Sequence, residues 1–186
     1  MTEIELFKNI VTKQKLKQNL SYLTKLAFDI EKKQPNNIIK SNMGGFQSKK
    51  LDPNLISELV KDILYYGNIF FKHFNYKNEL VLLNSWFNIN RYKDSNGDHV
   101  HPFSKVSGVF YIKVPANSGD LIFMNPHPID CYLNDDCLTE FNKLNSSVFG
   151  LPGEENVLYL FPSWFRHRVN MNLSKEERIS ISFNLG

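Results

Sequence analysis

Apolar residues return at Leu16, Leu20, Leu23, Leu26, Ala27 and Ile30, close to helical spacing, which predicts an amphipathic helix over Gln14–Lys32. Pro35-Asn36-Asn37 ends it. The next segment, Ser41-Asn42-Met43-Gly44-Gly45-Phe46-Gln47-Ser48, has no period, and its paired glycines suit a loop with unusual backbone angles. Asp52-Pro53 reads as a capping residue followed by proline at the first helical position. It opens a second predicted helix running through Leu55, Ile56, Leu59, Val60 and Ile63 towards Phe71.

Beyond residue 78 the pattern changes to strands. Glu79–Ile89, Ser107–Val114, Asp120–Met124, Val157–Phe161 and Arg178–Asn184 are short runs rich in Val, Ile, Phe, Tyr and Leu. Turn residues separate them, as in Asp94-Ser95-Asn96-Gly97 and Ala116-Asn117-Ser118-Gly119. The last run alternates, with Arg178, Ser180, Ser182 and Asn184 on one face and Ile179, Ile181 and Phe183 on the other. A polar inner face behind an apolar outer one fits a barrel that holds a polar ligand. The interval Asn125–Glu155 has weak periodicity and reads as an insertion or lid.

Composition narrows the class without choosing a chemistry. The 186 residues suffice for one domain with its own core, and 42% hydrophobic with 22% charged residues is ordinary for a soluble globular protein. Net charge is +3, and no Lys/Arg block forms a nucleic-acid stripe. Lys13, Lys15, Lys17, Lys25, Lys32 and Lys33 fall on the predicted first helix and read as a solvated face. No apolar window is long enough to cross a membrane, and the start lacks a secretory pattern. Cys131 and Cys137, the only cysteines, demand neither a disulfide scaffold nor a zinc site. The expectation is a cytoplasmic protein with no membrane partner.

The chemistry-bearing residues are His99, His101 and, far downstream, His167. Residues i and i+2 of a strand share a face, so His99 and His101 could converge on one ion, and His167 could complete the set from a neighbouring strand. Non-haem Fe(II) oxygenases use two histidines and one carboxylate in such a facial arrangement, with open positions for other ligands. Here a histidine stands where the carboxylate is usual. Asp98 is the nearest acid and could reach the metal only through a bulge. His73 and His127 read as ordinary residues. Arg178 pointing into a barrel would be costly without an anion, and a carboxylate received in bidentate fashion removes that cost. Ser180 shares its face and can donate a second hydrogen bond. Tyr111 could offer its phenol to the same carboxylate or be a core tyrosine. Arg178 itself could instead be a surface residue paired with Glu176 or Glu177.

At this point a family resemblance is visible. Ser41-Asn42-x-Gly44-Gly45-Phe46-Gln47-Ser48, Trp86-x-Asn88, Gly97-x-His99-x-His101-Pro102, Ser107-Gly108-Val109-Phe110-Tyr111, Phe161-Pro162-Ser163-Trp164 with His167, and Arg178-Ile179-Ser180-Ile181-Ser182-Phe183-Asn184 occur in order from residue 41 onward. Together they resemble the 2-oxoglutarate- and Fe(II)-dependent oxygenases, most closely a bacterial and phage branch. The resemblance implies a mainly β fold with N-terminal α-helices packed outside a double-stranded β-helix, a cupin-like jelly roll. It implies a single domain over 1–186, with 1–78 mainly helical support and 79–186 the jelly-roll core, including a lid or insertion near 125–155. It carries the metal role onto His99, His101 and His167, and binding of the distal 2-oxoglutarate carboxylate onto Arg178. Prolyl-hydroxylase-like relatives share that task with a strand tyrosine, which corresponds to Tyr111. The superfamily's usual H-x-D is H-x-H here.

Three readings follow. The first is a dioxygenase that uses Fe(II), 2-oxoglutarate and dioxygen, hydroxylates a C–H bond of an unidentified substrate and releases succinate and CO2. The second is a three-histidine cupin dioxygenase acting on a small thiol or diketone without 2-oxoglutarate. The third is a jelly-roll binding protein that keeps the site as a relic. Trp86 and Asn88, on one face of a strand, are expected wall residues.

Overall fold

The computed structural model describes residues 2, 4, 6–34, 36–127, 129, 132 and 138–186. Pro35, Cys131 and Cys137 therefore lie outside the described residues. The chain opens with β1 (Thr12–Lys15) and α1 (Leu20–Lys33), then β2 (Asn42–Met43) and β3 (Phe46–Gln47). A 3-10 turn at Pro53–Ile56 leads into α2 (Ser57–Phe71), and another, Lys72–Phe74, follows it. Eight strands follow: β4 (Leu82–Asn90), β5 (Ser95–His99), β6 (Val106–Lys113), β7 (Leu121–Met124), β8 (Val148–Leu151), β9 (Val157–Pro162), β10 (His167–Val169) and β11 (Arg178–Leu185).

The strands form two antiparallel sheets, ordered β1-β9-β6-β11-β4-β3 and β2-β5-β10-β7-β8. From β4 to β11 the chain passes back and forth between them. This is the double-stranded β-helix, or jelly roll. Each strand of the larger sheet therefore has an outer face towards the helices and an inner face towards the smaller sheet.

The outer face is apolar and dry. Ile179, Ile181, Phe183 and Leu185 of β11 are fully buried, and they join Phe87, Ile89, Phe110, Ile112, Leu158 and Leu160 from neighbouring strands. Leu23 and Ala27 of α1 and Leu59, Ile63 and Phe70 of α2 close this core from the other side. Gly108 on β6 makes the fit possible, because a Cβ there would come within 2.3 Å of the Phe183 ring and 2.4 Å of the Tyr159 carbonyl. The inner face carries a smaller apolar group, including Val109, Tyr111, Phe123 and Phe161, and the polar residues of the site.

Some local expectations change. The first helix begins at Leu20, capped by Asn19, whose side chain accepts from the Tyr22 amide at 3.0 Å. Gln14 and Lys15, expected to open that helix, belong instead to an edge strand, Thr12–Lys15, paired with β9. Its lysines still point to solvent, and Lys13 meets Glu154. A four-residue alternation carries too little signal to outweigh the adjoining helical period, so pairing with β9 decides. Asp52 caps its turn as expected, accepting from the Asn54 amide at 3.0 Å. The turn expected at Asp94–Gly97 lies three residues earlier, at Arg91–Asp94, where the Asp94 amide donates to the Arg91 carbonyl at 3.0 Å. Asp94 accepts from the Arg91 amide at 2.6 Å, and Ser95–His99 is a strand between β2 and β10. The interval 125–155 is not all insertion, since Val148–Leu151 pairs with β7 as the sheet's edge. The N-terminal 78 residues, expected to be mainly helical, also add β1, β2 and β3 to the sheets. Among the described residues no helix is long and apolar enough to cross a membrane.

Because Phe183 joins sheet to helices at 0% exposure, Phe183→Ala should lower stability by about 3–5 kcal/mol. Urea unfolding measures this, and a loss below about 1 kcal/mol would show that this interface is not the main core.

Candidate metal centre

Three histidines converge between the sheets. His99, the last residue of β5, pairs in register with His167, the first of β10. His101 lies beyond the end of β5, and its amide donates to the Ser163 carbonyl at 2.9 Å. One ring nitrogen from each histidine falls within 4.8 Å of the others, and His101 Nε2 lies 3.3 Å from His167 Nε2. The expected i, i+2 relation on one strand is thus not how His99 and His101 meet. The strand stops between them, and the following loop folds His101 back.

The tautomers are set locally. His99 Nδ1 is 2.8 Å from the Gly97 carbonyl, and His167 Nδ1 is 2.8 Å from the Phe165 carbonyl. A carbonyl only accepts, so in each ring Nδ1 carries the proton and Nε2 keeps its lone pair. That is how metal-ligating histidines are usually oriented. Burial, the largest influence, lowers the pKa of all three. His101 falls to about 3, with the fields of His167, His99 and Lys40 adding to the effect. His167 falls to about 4 by burial and the field of His99, against the Phe165 hydrogen bond. His99 is lowered although Gly97 and Asp98 oppose the shift. Near pH 7 the cluster is neutral, the state a metal ion needs.

Asp98 faces elsewhere. It lies 3.5 Å from Arg166 Nη2 and 3.8 Å from Arg168 Nη1, and is absent from the grouped ligand atoms. A bulge does exist here. The two steps from His167 to Val169 on β10 span three on β5, from His99 to Asn96. Its effect is to turn both Asn96 and His99 towards the cavity.

Arg178 lies in the same cavity, only 1% exposed. Its Nη1 donates to the carbonyls of Ser118, Gly119 (3.3 Å) and Asn170 (3.1 Å). Among the described residues its buried Nη2 finds no partner, and neither does the hydroxyl of Tyr111. Burial pulls the guanidinium below its ordinary pKa, opposed by Tyr111, Asp94 and Asp120. Burial pushes the Tyr111 phenol up to about 12 against the field of Arg178, so it stays a neutral donor. Ser180 pairs directly with Tyr111 across β11 and β6, and lines the cavity beside them. The surface alternative for Arg178 does not occur, because Glu176 and Glu177 pair with Lys113 instead.

The structure brings His99, His101, His167, Tyr111, Arg178 and Ser180 to one cavity, with Trp86 and Asn88 in its wall as expected. Ser182, already placed on the polar inner face by its alternation, lines it too, whereas sequence reasoning missed Ser41, Asn90 and Asn96. Asn90 was within reach, since it continues the alternation of Trp86 and Asn88. Asn96 was not, because a bulge places it. Among the described residues no Asp or Glu lines the cavity. Two unpaired donors at one end and three lone pairs at the other therefore suit a divalent cation together with an anion bearing a carboxylate.

Residues 84–184 match the family model described as "Putative 2OG-Fe(II) oxygenase". No curated protein matches the chain. Among solved structures, a prolyl-4-hydroxylase from Pseudomonas putida is 14% identical with a TM-score of 0.62, over 94% of this chain and 91% of that one. A viral collagen prolyl hydroxylase from Paramecium Bursaria Chlorella virus-1, in complex with 2OG, is 11% identical with a TM-score of 0.63, over 94% of each chain. HygX from Streptomyces hygroscopicus, with nickel and 2-oxoglutarate bound, is 10% identical with a TM-score of 0.60, over 95% of this chain and 82% of that one. At these identities the likeness is one of fold.

The geometry separates the two candidates for third ligand. His101→Ala should weaken Co(II) binding by more than the ~10–100-fold that loss of an outer partner costs, whereas Asp98→Asn should leave it within about twofold. Calorimetric titration reads both, and the reverse ranking would make Asp98 the ligand.

Proposed function

Because the chain belongs to the 2OG-Fe(II) oxygenase family, we propose that it is a 2-oxoglutarate- and Fe(II)-dependent dioxygenase that hydroxylates a C–H bond of its primary substrate. The observation that carries this reading is the pairing of two orphaned buried donors, Arg178 Nη2 and Tyr111 Oη, with a neutral three-histidine cluster in one cavity. His99, His101 and His167 hold the metal through Nε2. Arg178 receives the distal carboxylate of 2-oxoglutarate, Tyr111 donates its phenol proton to the same group, and Ser180 adds a hydrogen bond. When bound, Fe(II) supplies the redox chemistry that couples decarboxylation of 2-oxoglutarate to oxidation of the substrate by dioxygen.

Charge supports the assignment. Three neutral ligands leave the full charge of the ion in place, and among the described residues Arg178 is the one cation in a lining without acids. A dicarboxylate bridging the two offsets most of that charge. Trp86, 6.0 Å from the His101 ring between centroids, stands beside the metal ligands. Residues 1–186 act as one domain in this reading, and a cytoplasmic setting, where reductants prevail, suits a ferrous centre.

The histidine triad favours a second reading, a cupin-type dioxygenase that binds its substrate directly on the metal without 2-oxoglutarate. Arg178 and Tyr111 would then have no partner. Iron-dependent succinate release identifies the first reading, and dioxygen uptake without succinate the second.

A charge-assisted hydrogen bond contributes about 1.5–3 kcal/mol, so Arg178→Ala should weaken 2-oxoglutarate binding by roughly ten- to a hundredfold or more. Lysine at 178 should restore only part of it, lacking the planar fork. Metal binding should survive, since Arg178 is not a ligand. Anaerobic calorimetry on the Mn(II)-substituted protein measures this. Equal binding by Arg178→Ala, or none by the wild type, would overturn the cosubstrate assignment.

A further inference from the structure

His101 is held differently from its two partners. His99 and His167 lie in paired strands, and each has its Nδ1 on a carbonyl two residues away. His101 lies outside any strand, and among the described residues no hydrogen bond anchors its Nδ1. Its position therefore depends on its main chain. The His101 amide donates to the Ser163 carbonyl at 2.9 Å, the Ser163 amide donates to the Lys105 carbonyl at 3.1 Å, and the Lys105 amide donates to the Leu185 carbonyl at 2.8 Å. The loop carrying His101 is thus clasped against the turn between β9 and β10.

That turn is tied down by a chain of buried polar side chains. Ser163, 1% exposed, has its hydroxyl 2.8 Å from that of Ser107 on β6. Ser107 Oγ donates to Asn184 Oδ1 on β11 at 2.7 Å, and Asn184 Nδ2 donates to Asn84 Oδ1 on β4 at 2.9 Å. Ser107 is fully buried and Asn184 nearly so. Polar groups placed there cost desolvation that apolar residues of similar size would not. Elsewhere the inner faces of β6 and β9 do carry apolar side chains, such as Val109 and Phe161. None of these four residues belongs to the metal cluster or to the Arg178 end.

We propose that the chain Asn84–Asn184–Ser107–Ser163 positions His101, making these four residues positioning residues that set how tightly and in what geometry the metal is held. The four side chains come from three adjacent strands and one turn, so the chain transmits the rigidity of the larger sheet to the one ligand that the smaller sheet does not hold. The carbonyl of Ser163 is aimed by its own side chain, and the amide of His101 follows it. The proposal rests on the reading of His101 as a metal ligand.

The test uses Co(II), whose visible bands report ligand geometry, on the whole protein. Ser163→Ala and Ser107→Ala should each weaken Co(II) binding about tenfold, the scale of losing an outer partner, and should shift the bands. Cooperative unfolding of the metal-free protein should persist. In a His101→Ala background the same substitutions should cause no further loss, because the group they position is gone. Should the serine variants fail to fold, Asn84→Ala, at the half-buried end of the chain, takes their place with the same expectation. Wild-type affinity and bands in these variants would overturn the proposal. An equal loss with and without His101 would also overturn it, by showing a merely structural role. If His101→Ala alone binds Co(II) as the wild type does, the ligand reading fails and the proposal falls with it. A loss in His101→Ala but none in the network variants refutes the positioning role alone.

Discussion

A guanidinium buried inside a barrel without a carboxylate is the constraint around which this structure is arranged. Arg178 could not be left bare there, since an uncompensated buried charge costs several kcal/mol. Three carbonyls converge on its Nη1, from Ser118, Gly119 and Asn170. This dictates the shape of the turn before β7. Gly119 sits at φ +86°, and a Cβ there would come within 2.3 Å of the Asn170 carbonyl. Asn172, fully buried, closes the same end of the barrel by donating to the carbonyls of Asn90 and Glu176, each at 2.9 Å. The cation is thereby half satisfied by the protein, and its free Nη2 faces the cavity with the Tyr111 hydroxyl as its neighbour in need of a partner.

The strand bearing Arg178 explains how so polar an interior is tolerated. On β11, Ile179, Ile181, Phe183 and Leu185 knit the larger sheet to both helices, while Arg178, Ser180, Ser182 and Asn184 face inward. Apolar burial on one face offsets polar burial on the other, at roughly 25 cal/mol for each Å² of apolar surface removed from water. The helices thus hold in place the sheet that aligns Arg178, Ser180 and the Ser107–Asn184 pair, although they contribute no side chain to the cavity lining. The smaller sheet has the complementary task, with His99 and His167 adjacent in register.

What could be read in the sequence follows from the same physics. The period-two pattern of Arg178–Asn184 was legible because a two-faced strand cannot hide which residues point inward. The histidines were legible as a set, as were Arg178, Ser180 and Tyr111 as candidates for an anion. The route by which His101 reaches the others was not, since it depends on a strand ending at His99 and on a bond to Ser163 made across the fold. Asp94–Gly97 looked like a turn because Asp, Ser, Asn and Gly favour turns, and only pairing with β2 and β10 makes Ser95–Gly97 part of a strand. β1 was hidden for a similar reason, lying beside a strong helical period. The Asn84–Ser163 chain joins residues far apart in sequence, which no local pattern can announce.

The most direct measurement is a crystal structure grown anaerobically with Fe(II) and 2-oxoglutarate. The metal should be bound by Nε2 of His99, His101 and His167 at about 2.0–2.1 Å, by analogy with zinc–histidine sites. Arg178 Nη2 and Tyr111 Oη should meet the same distal carboxylate. Iron ligated by Asp98 with His101 turned away, or Arg178 Nη2 still without a partner while 2-oxoglutarate is bound elsewhere, would contradict both assignments.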